Sequence, residues 1–272
     1  MPKLSIITIN YNNAPGLRKT IESVVSQTSN DFEYIVIDGG STDGSLEVIK
    51  QYAGKINYWV SEPDSGLYNA MNKGIDRASG EYCLFLNSGD VLCGDDVLKK
   101  IMGINCHADI FYGDMMIDHG NHLSLGKSPL KISFQHMMKD TLWHPVSFIK
   151  KGLFDKFGLY DENFKFAADY DFFLKTLIVG NVSTQYIPFS VSQFNLDGLS
   201  SNAANQEIIA KERKNSQLKY LPEKVLLFYQ DYVLLEKEYQ KLLNSKIFKL
   251  YSKMIQNPLL LRVLKFFGKV FH

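Results

Sequence analysis

The sequence predicts an α/β fold with a Rossmann-like, mostly parallel sheet flanked by helices. Short apolar runs alternate with amphipathic helical patterns through about residue 90, as in sheets whose parallel strands are joined by helices. The apolar runs also end in turns rich in Gly, Asp and Ser, at residues 38–44 and 87–90. Because ligands bind at the carboxyl ends of the strands in open α/β sheets, we expect these two turns to lie together on a ligand.

The spacing of apolar residues predicts each element in turn. The first part of the chain is predicted to hold strands at 4–9, 32–37, 56–60 and 82–86, and helices at 17–27, 45–52 and 68–78. After Asp90 the pattern loosens, and we expect a strand at 183–187, a helix at 172–179, and strands that could be antiparallel at 110–117 and 145–149. Polar residues 200–205 predict a linker or mobile loop. The rest of the chain is predicted to be helical, with breaks at Pro222 and Pro258.

Composition places the chain among soluble globular proteins. Of its 272 residues, 45% are hydrophobic and 22% are charged, which is ordinary for this class. The three cysteines have no metal-ligand spacing, and the N-terminus leads directly into a strand. We therefore expect no signal peptide, and reduced thiols in a cytosol. No apolar run reaches the roughly 18 residues that a membrane-spanning helix needs.

The net charge of +1 conceals an uneven distribution. Residues 239–272 contain seven Lys or Arg and no Asp or Glu, which leaves residues 1–238 at −6 (+1 minus +7). In this tail Arg262, Lys265 and Lys269 fall on one helical face, largely apart from the bulky apolar residues. A basic face beside an apolar face predicts an interfacial helix on an anionic membrane surface. The alternative is a helix packed on the protein's own body or on a second subunit.

Three segments carry a resemblance to a known family. They are Ser5 to Asn12, Val36 to Gly44 and Ser61 to Gly74, of which the last is the longest match. In this order and at this spacing they resemble a family 2 glycosyltransferase of the GT-A fold, in a bacterial subgroup that builds surface polysaccharides. The resemblance covers roughly residues 3–200.

The resemblance implies that these segments bind the nucleotide of a nucleotide-sugar. Asp38 would read the base, since a carboxylate accepts the N–H that uracil presents between two carbonyls. Thymine offers the same N–H, so a UDP-sugar is favoured without being required. The other implied nucleotide contacts are Thr8, Asn10, Tyr11, Asn12, Gly39, Asp64, Asn72 and Lys73.

Several of these side chains have a structural alternative. Asp38 could cap the turn at the end of its strand. Asp43 and Asp64 could each cap the helix that follows them in the sequence. For Lys73, the alternative to a phosphate contact is an ordinary solvent-exposed position.

Asp90, which follows the fourth strand, matches the family's Asp-x-Asp type of motif. A divalent cation held there, Mg²⁺ or Mn²⁺, would neutralise the diphosphate as its bond to the sugar breaks. The chain departs from the motif, because Asn87 and Gly89 stand where further acids often occur. The resemblance also brings His144 near the diphosphate or the acceptor, where its imidazole could ligate the metal or donate to phosphate. The alternative for His144 is a structural role.

The resemblance makes Asp169 the catalytic base. An ionised carboxylate can take the proton of an acceptor hydroxyl as the hydroxyl oxygen attacks the anomeric carbon. The family usually has Glu-Asp at the 168–169 pair, and Ala168 removes the first of these acids. The alternative for Asp169 is a cap of the helix near Phe172, a role that suits Asp171 better.

These inferences predict an inverting glycosyltransferase that uses a nucleotide-sugar donor and a glycan or lipid-linked acceptor. Residues 1–204 would form the catalytic domain, with a nucleotide-binding half at 1–90 and an acceptor half at 91–204, and residues 205–272 a helical extension. We expect a cytoplasmic protein, peripheral on the inner face of the cell membrane through its tail, with no nucleic-acid partner.

Two other functions stay open at this point. A nucleotidyltransferase that makes sugar nucleotides would share the fold, but such enzymes usually have a Gly-rich, basic loop after the first strand, which residues 10–16 lack. A non-catalytic module that binds a sugar nucleotide or a membrane is supported by the absence of acids at positions 87, 89 and 168.

Overall fold

The computed structural model describes residues 3–105, 107–196, 198, 201–246, 248–249 and 253. The strands are β1 (Leu4–Asn10), β2 (Phe32–Asp38), β3 (Tyr58–Ser61), β4 (Tyr82–Phe85), β5 (Val91–Leu92), β6 (Ile110–Asp118), β7 (Leu123–Gly126), β8 (Ser147–Lys150) and β9 (Thr184–Asn195). The helices are α1 (Ala14–Val25), α2 (Ser45–Tyr52), α3 (Leu67–Arg77), α4 (Val97–Met102), α5 (Phe134–Lys139), α6 (Gly152–Phe157), α7 (Ala168–Phe173), α8 (Gln206–Tyr220) and α9 (Glu223–Asn244).

The strands form one mixed sheet in the order β3-β2-β1-β4-β8-β6-β9-β5, with β7 beside β6. Strands β1 to β4 are parallel, while β8 is antiparallel to both β4 and β6. The predicted α/β class and the predicted antiparallel strands are therefore confirmed. In the register, Asn10 pairs with Asp38 and Asp38 with Ser61. Polar residues at the carboxyl ends of three neighbouring strands thus meet at one edge of the sheet.

Helix α1 packs on the sheet through an apolar face. Leu17, Ile21 and Val24 are fully buried, and burying a side chain of this kind stabilises a fold by about 1.5–3 kcal/mol. The helix begins earlier than predicted because the Asn13 side chain caps it, accepting a hydrogen bond from the N–H of Gly16 at 3.1 Å. The Thr20 hydroxyl on the same helix donates to the carbonyl of Asp90 at 2.7 Å, which anchors the turn after β4.

Helix α3 lies unusually close to β1 because it carries a glycine at the contact. A Cβ on Gly74 would stand 2.4 Å from Cγ2 of Ile7, a distance that real side chains do not adopt. Tyr68, Met71 and Ile75 of this helix are buried. Apolar packing therefore holds the helix against the sheet, and the lack of a side chain at Gly74 permits the close approach.

The segment predicted as one helix at 172–179 consists of two kinds of helix. The α-helix α7 covers Ala168–Phe173 and is followed by a π-helix at Leu174–Val179. The hydroxyl of Thr176 donates to the carbonyl of Phe172 at 2.8 Å. This bond competes with the α-helical ladder for that carbonyl, which accounts for the wider turn.

The chain divides into two compact units, residues 1–220 and 221–272. Helix α8 belongs to the first unit, while the predicted functional division at residue 204 stays a prediction. In the second unit, α9 follows the predicted break at Pro222, and no helix among the described residues is long and apolar enough to cross a membrane. Pro258 and the predicted basic face of the tail, with Arg262, Lys265 and Lys269, lie outside the described residues.

Candidate active site

The carboxylate of Asp169 lies in the first turn of α7 and is held by groups from two other elements. Its Oδ1 accepts a hydrogen bond from the hydroxyl of Tyr68, on α3, at 3.1 Å. Its Oδ2 lies 3.7 Å from Nδ1 of His144, and the Asp169 side chain keeps 22% of its surface exposed. The carboxylate is therefore oriented on one side and open to solvent on the other.

His144 lies behind this carboxylate in an aromatic cage. Its ring is 5.4 Å from the rings of Phe85, Tyr160 and Phe173, and its Nε2 is 2.8 Å from the hydroxyl of Tyr160. Burial lowers the pKa of His144, and the Asp169 carboxylate offsets this only in part. Among the two neutral tautomers, the one with Nδ1–H towards Asp169 avoids placing two lone pairs face to face. The Tyr160 hydroxyl then donates to Nε2.

The two tyrosines of this cluster stay protonated at physiological pH. Burial first, and then the nearby Asp169 carboxylate, raises the pKa of both Tyr68 and Tyr160 well above the usual value. Tyr68 is thus a permanent hydrogen-bond donor to Asp169. The cluster as a whole holds the Asp169 carboxylate in one orientation, which is what a general base requires.

A second cluster is centred on Asp38, where β2 ends. This buried carboxylate accepts hydrogen bonds from Nδ2 of Asn10 at 2.7 Å, from the N–H and hydroxyl of Ser41 at 3.0 and 2.6 Å, and from the hydroxyl of Ser61 at 2.6 Å. Burial alone would raise the pKa of Asp38, but these hydrogen bonds outweigh it and hold the pKa below its usual range. Its four acceptor sites are filled, so binding a uracil N–H requires one hydroxyl to turn away.

An open surface adjoins the Asp38 cluster. A Cβ on Gly39 would stand 2.5 Å from Oδ2 of Asp64 and 3.2 Å from the ring of Tyr11. The Tyr11 ring is 67% exposed. The exposed ring of Tyr11 can stack on a base. The neighbouring carboxylate of Asp64 can accept a hydrogen bond from a hydroxyl.

The loop at residues 39–44 is fastened to the loop after β1. The N–H of Asn12 donates to the hydroxyl of Ser41 at 2.7 Å, and Oδ1 of Asn12 accepts from the N–H of Thr42 at 2.9 Å. Asn12 adopts a left-handed backbone with φ of 49°, which asparagine tolerates better than most residues. Asn10 is buried, and its Oδ1 has no partner among the described residues.

Asp90 and Asn87 supply oxygens at the turn after β4. Asp90 is buried and accepts from the backbone N–H of Asn87 at 3.1 Å. Burial raises the pKa of Asp90 to about 7, and this hydrogen bond offsets the rise only in part. The side-chain oxygen of Asn87 is buried without a partner among the described residues. Two under-satisfied oxygens fit a hard divalent cation, although the described residues contain no group of three or more His, Cys, Asp or Glu that could hold one.

Comparison with known sequences assigns the chain to a family. The family model described as glycosyl transferase family 2 matches residues 5–149, more than half of the chain. The protein belongs to glycosyl transferase family 2. The family predicted from the motifs is therefore confirmed.

The similarity to curated relatives extends beyond residues 5–149, which the family model matches. A protein of Mycobacterium bovis BCG named PGL/p-HBAD biosynthesis glycosyltransferase is 30% identical over 224 residues, covering 80% of this chain and 86% of the relative. An uncharacterized glycosyltransferase of Mycobacterium tuberculosis is 33% identical over 224 residues, covering 80% of this chain and 84% of its own.

Solved structures share the fold of the glycosyltransferase. S. aureus TarS 1–349 in complex with UDP has a TM-score of 0.61 and 21% identity, covering 80% of this chain and 72% of its own. The mannosyltransferase PcManGT from Pyrobaculum calidifontis, in complex with GDP-Man and Mn²⁺, has a TM-score of 0.55 and 14% identity, covering 93% and 86%. At these identities the likeness concerns the fold alone, and the predicted GT-A fold is confirmed.

Three of the nucleotide contacts predicted for the glycosyltransferase have other partners in the structure. Thr8 is fully buried, and its hydroxyl is 3.1 Å from that of Tyr34. Buried Asn72 donates to the carbonyl of Tyr160 and accepts from its N–H, so that it holds the segment leading to α7. Lys73 forms an ion pair with Glu62 at 2.8 Å and donates to a backbone carbonyl. Thr8 and Asn72 are thus engaged inside the protein, whereas Lys73 forms its ion pair at the surface. Their roles as nucleotide contacts stay predictions.

The metal role considered for His144 stays a prediction. Its Nε2 is 2.8 Å from the hydroxyl of Tyr160, and its Nδ1 is 3.7 Å from Oδ2 of Asp169. Asp64 accepts from the N–H of Gly66 at 2.9 Å in the turn before α3, while Gly66 is the cap residue and α3 has no side-chain cap. Asp43 accepts from the N–H and hydroxyl of Ser45, at the start of α2. Asp171 lies inside α7 rather than at its cap, and accepts from the hydroxyl of Tyr220.

Sequence reasoning missed Tyr68 and Tyr160 as parts of the site. Both carry an aromatic ring in an apolar pattern, which is typical of core residues, and both are indeed buried. Only their hydroxyls reach the polar cluster. Tyr68 does lie inside the long matched segment from Ser61 to Gly74, and that position was the available signal.

Proposed function

We propose that the protein is an inverting glycosyltransferase that moves a sugar from a nucleotide-sugar to a hydroxyl of a lipid-linked or growing glycan. The favoured donor is a UDP-sugar. The observation that carries this proposal is the partly exposed Asp169 carboxylate, which is oriented by the Tyr68 hydroxyl at 3.1 Å. Family membership supplies the class of reaction, and this carboxylate supplies the base that the reaction needs.

The transfer is a single displacement. Asp169 takes the proton of the acceptor hydroxyl while the acceptor oxygen forms a bond to the anomeric carbon of the donor. The bond from that carbon to the diphosphate breaks, and the nucleotide diphosphate leaves with the electron pair. Attack from the face opposite the leaving group inverts the configuration. Oδ1 of Asp169 accepts from the Tyr68 hydroxyl and Oδ2 faces Nδ1 of His144, and each oxygen keeps a second lone pair that can take the proton.

The nucleotide is proposed to bind along the open surface beside Asp38. Its base would stack on Tyr11, which contributes about 1–3 kcal/mol for a typical base. Asp38 would accept the uracil N–H in exchange for one of its serine hydroxyls, and Asp64 would accept from the ribose. UDP and GDP-Man are bound by the solved relatives TarS and PcManGT, which supports a nucleotide-sugar donor without choosing its base.

A divalent cation is proposed at the turn after β4. Asp90 and the side-chain oxygen of Asn87 would hold Mg²⁺ or Mn²⁺, together with phosphate oxygens and water. The ion would neutralise the charge of the departing diphosphate. The Mn²⁺ in the PcManGT complex is consistent with such a site.

The function is tested by release of the nucleoside diphosphate from a panel of UDP-, GDP- and dTDP-sugars with Mg²⁺, Mn²⁺ or EDTA. We expect metal-dependent release from one donor. In the variant Asp169→Asn, release should fall about 10²–10⁴-fold, because a positioned base contributes that much, while donor binding by calorimetry is retained. Turnover by Asp169→Asn at the wild-type rate would contradict the assignment of the base. Binding of no sugar nucleotide would contradict the function as a whole.

The acceptor and the cellular location are part of the same proposal. The M. bovis relative is named for a biosynthetic role, which supports synthesis of a glycan or glycolipid. We place the protein in the cytoplasm, on the inner face of the membrane, through the basic residues of 239–272. Deleting residues 239–272 should abolish cosedimentation with vesicles containing phosphatidylglycerol. Unchanged cosedimentation of the truncated protein would contradict a membrane role for the tail.

A further inference from the structure

Helix α7 carries Asp169 in its first turn but has no polar side chain at its cap position. The cap position is Ala167, and the next residue is Ala168. The N–H groups at the start of a helix have no partner within it and need one from elsewhere. A serine, threonine or aspartate at the cap position would usually supply that partner.

A carboxylate on α8 instead binds the backbone immediately before the helix, up to the cap residue Ala167. The carboxylate of Glu212 accepts hydrogen bonds from three consecutive backbone N–H groups, those of Lys165 at 2.7 Å and of Phe166 and Ala167 at 2.9 Å each. Hydrogen bonds to an ionised acceptor are roughly twice as strong as neutral ones. A negative charge is also favourable near a helix N-terminus. Glu212 therefore fixes the backbone that leads directly into the turn of Asp169.

Other side chains of α8 hold the residues that follow Asp169. Nε2 of Gln217 donates to the hydroxyl of Tyr170 at 2.9 Å, and the hydroxyl of Tyr220 donates to Oδ2 of Asp171 at 2.9 Å. Asp169 thus stands in a turn that α8 holds both before and after it. The orientation of its carboxylate towards Tyr68 depends on that turn.

We propose that Glu212 is a positioning residue for the catalytic base. It touches neither substrate nor reacting atoms, and it acts by placing Asp169 within reach of the Tyr68 hydroxyl and of the acceptor. This inference rests on the proposed function. It also extends the catalytic machinery into residues beyond 204, which the sequence alone predicts to be an extension.

The test uses the full chain and hydrolysis of the UDP-sugar, in which water replaces the acceptor and the same base is needed. We expect Glu212→Gln to lower kcat about tenfold, since small misplacements of a catalytic group have effects of this order, with the Kd for UDP unchanged. Glu212→Asp keeps the charge and should recover part of the rate. Glu207→Gln, at an exposed glutamate in the first turn of the same helix, is the matched control and should behave as wild type.

A double-mutant cycle separates positioning from mere stabilisation. If Glu212 acts through the base, Glu212→Gln should cause no further loss of rate when Asp169 is already Asn. The same fractional loss in both backgrounds, or a kcat for Glu212→Gln equal to that of Glu207→Gln, would overturn the inference. Should Glu212→Gln be unfolded at the assay temperature, the comparison is made with Glu212→Asp, and a wild-type kcat in that variant would overturn it. A defect in Asp169→Asn without one in the Glu212 variants leaves the proposed function standing, whereas full activity of Asp169→Asn overturns both.

Discussion

Removing one oxygen atom from Tyr68 tests whether its hydroxyl sets the geometry of the base. In Tyr68→Phe the ring and its packing stay, and the hydrogen bond to Oδ1 of Asp169 at 3.1 Å is lost. A hydrogen bond to a charged group contributes about 1.5–3 kcal/mol. Because Asp169 is 22% exposed, water replaces part of this bond. We therefore expect the low end of that range, about 1.5 kcal/mol, which corresponds to a roughly tenfold lower kcat.

The assay is UDP release at saturating donor, read together with UDP binding and the melting temperature. The Kd for UDP should not change, because Tyr68 lies on the side of the base rather than of the nucleotide. Tyr58→Phe is the control, since Tyr58 is on β3 with its ring 4.7 Å from the Arg77 guanidinium. A kcat of Tyr68→Phe within about twofold of the control would refute the reasoning, because no transition-state interaction would then have been lost.

Two further predictions concern the nucleotide surface and the stability of the sheet. In Gly39→Ala the new Cβ would stand 2.5 Å from Oδ2 of Asp64, so UDP binding measured by calorimetry should weaken, whereas Gly54→Ala, where the described residues leave the Cβ free, should bind UDP normally. For Glu33, burial would raise the pKa, but hydrogen bonds from Ser5, Ser79 and Gly80 outweigh it and lower the pKa below 4.5. The ionised form of Glu33 therefore stabilises the fold at pH values above the pKa of this residue in the unfolded chain. The stabilisation is lost as the pH falls through its lower pKa in the folded protein. Urea unfolding of wild type and Glu33→Gln should differ at neutral pH and converge in acid, and a constant difference would contradict this origin.

The strands and helices of residues 1–90 could be predicted because their signals are local. The predicted α2 has the observed bounds of Ser45–Tyr52, and the parallel strands follow directly from their apolar runs. Asp38 and Ser61 meet because parallel strands end at the same edge of the sheet. The contact of the Thr8 hydroxyl with that of Tyr34 was not predicted, because it depends on the register of the neighbouring strand.

The surroundings of the base could not be predicted in the same way, because they depend on contacts between distant segments. His144 comes close to Asp169 only because β8 inserts antiparallel beside β4. Glu212 belongs to a helix that the sequence pattern separates from the sheet. No local pattern around Glu212 indicates that its carboxylate binds the backbone at residues 165–167. Motifs thus single out the carboxylate proposed as the base, and the tertiary structure shows which groups orient it.

The close approach of α3 to β1 links the interior of the protein to its rate of reaction. Gly74 rests directly on Ile7, and the same helix carries the Tyr68 hydroxyl to Asp169. A change of volume at position 7 is therefore expected to displace the helix, and the tyrosine with it. A substitution of this fully buried isoleucine should alter the rate of sugar transfer as well as the stability of the fold.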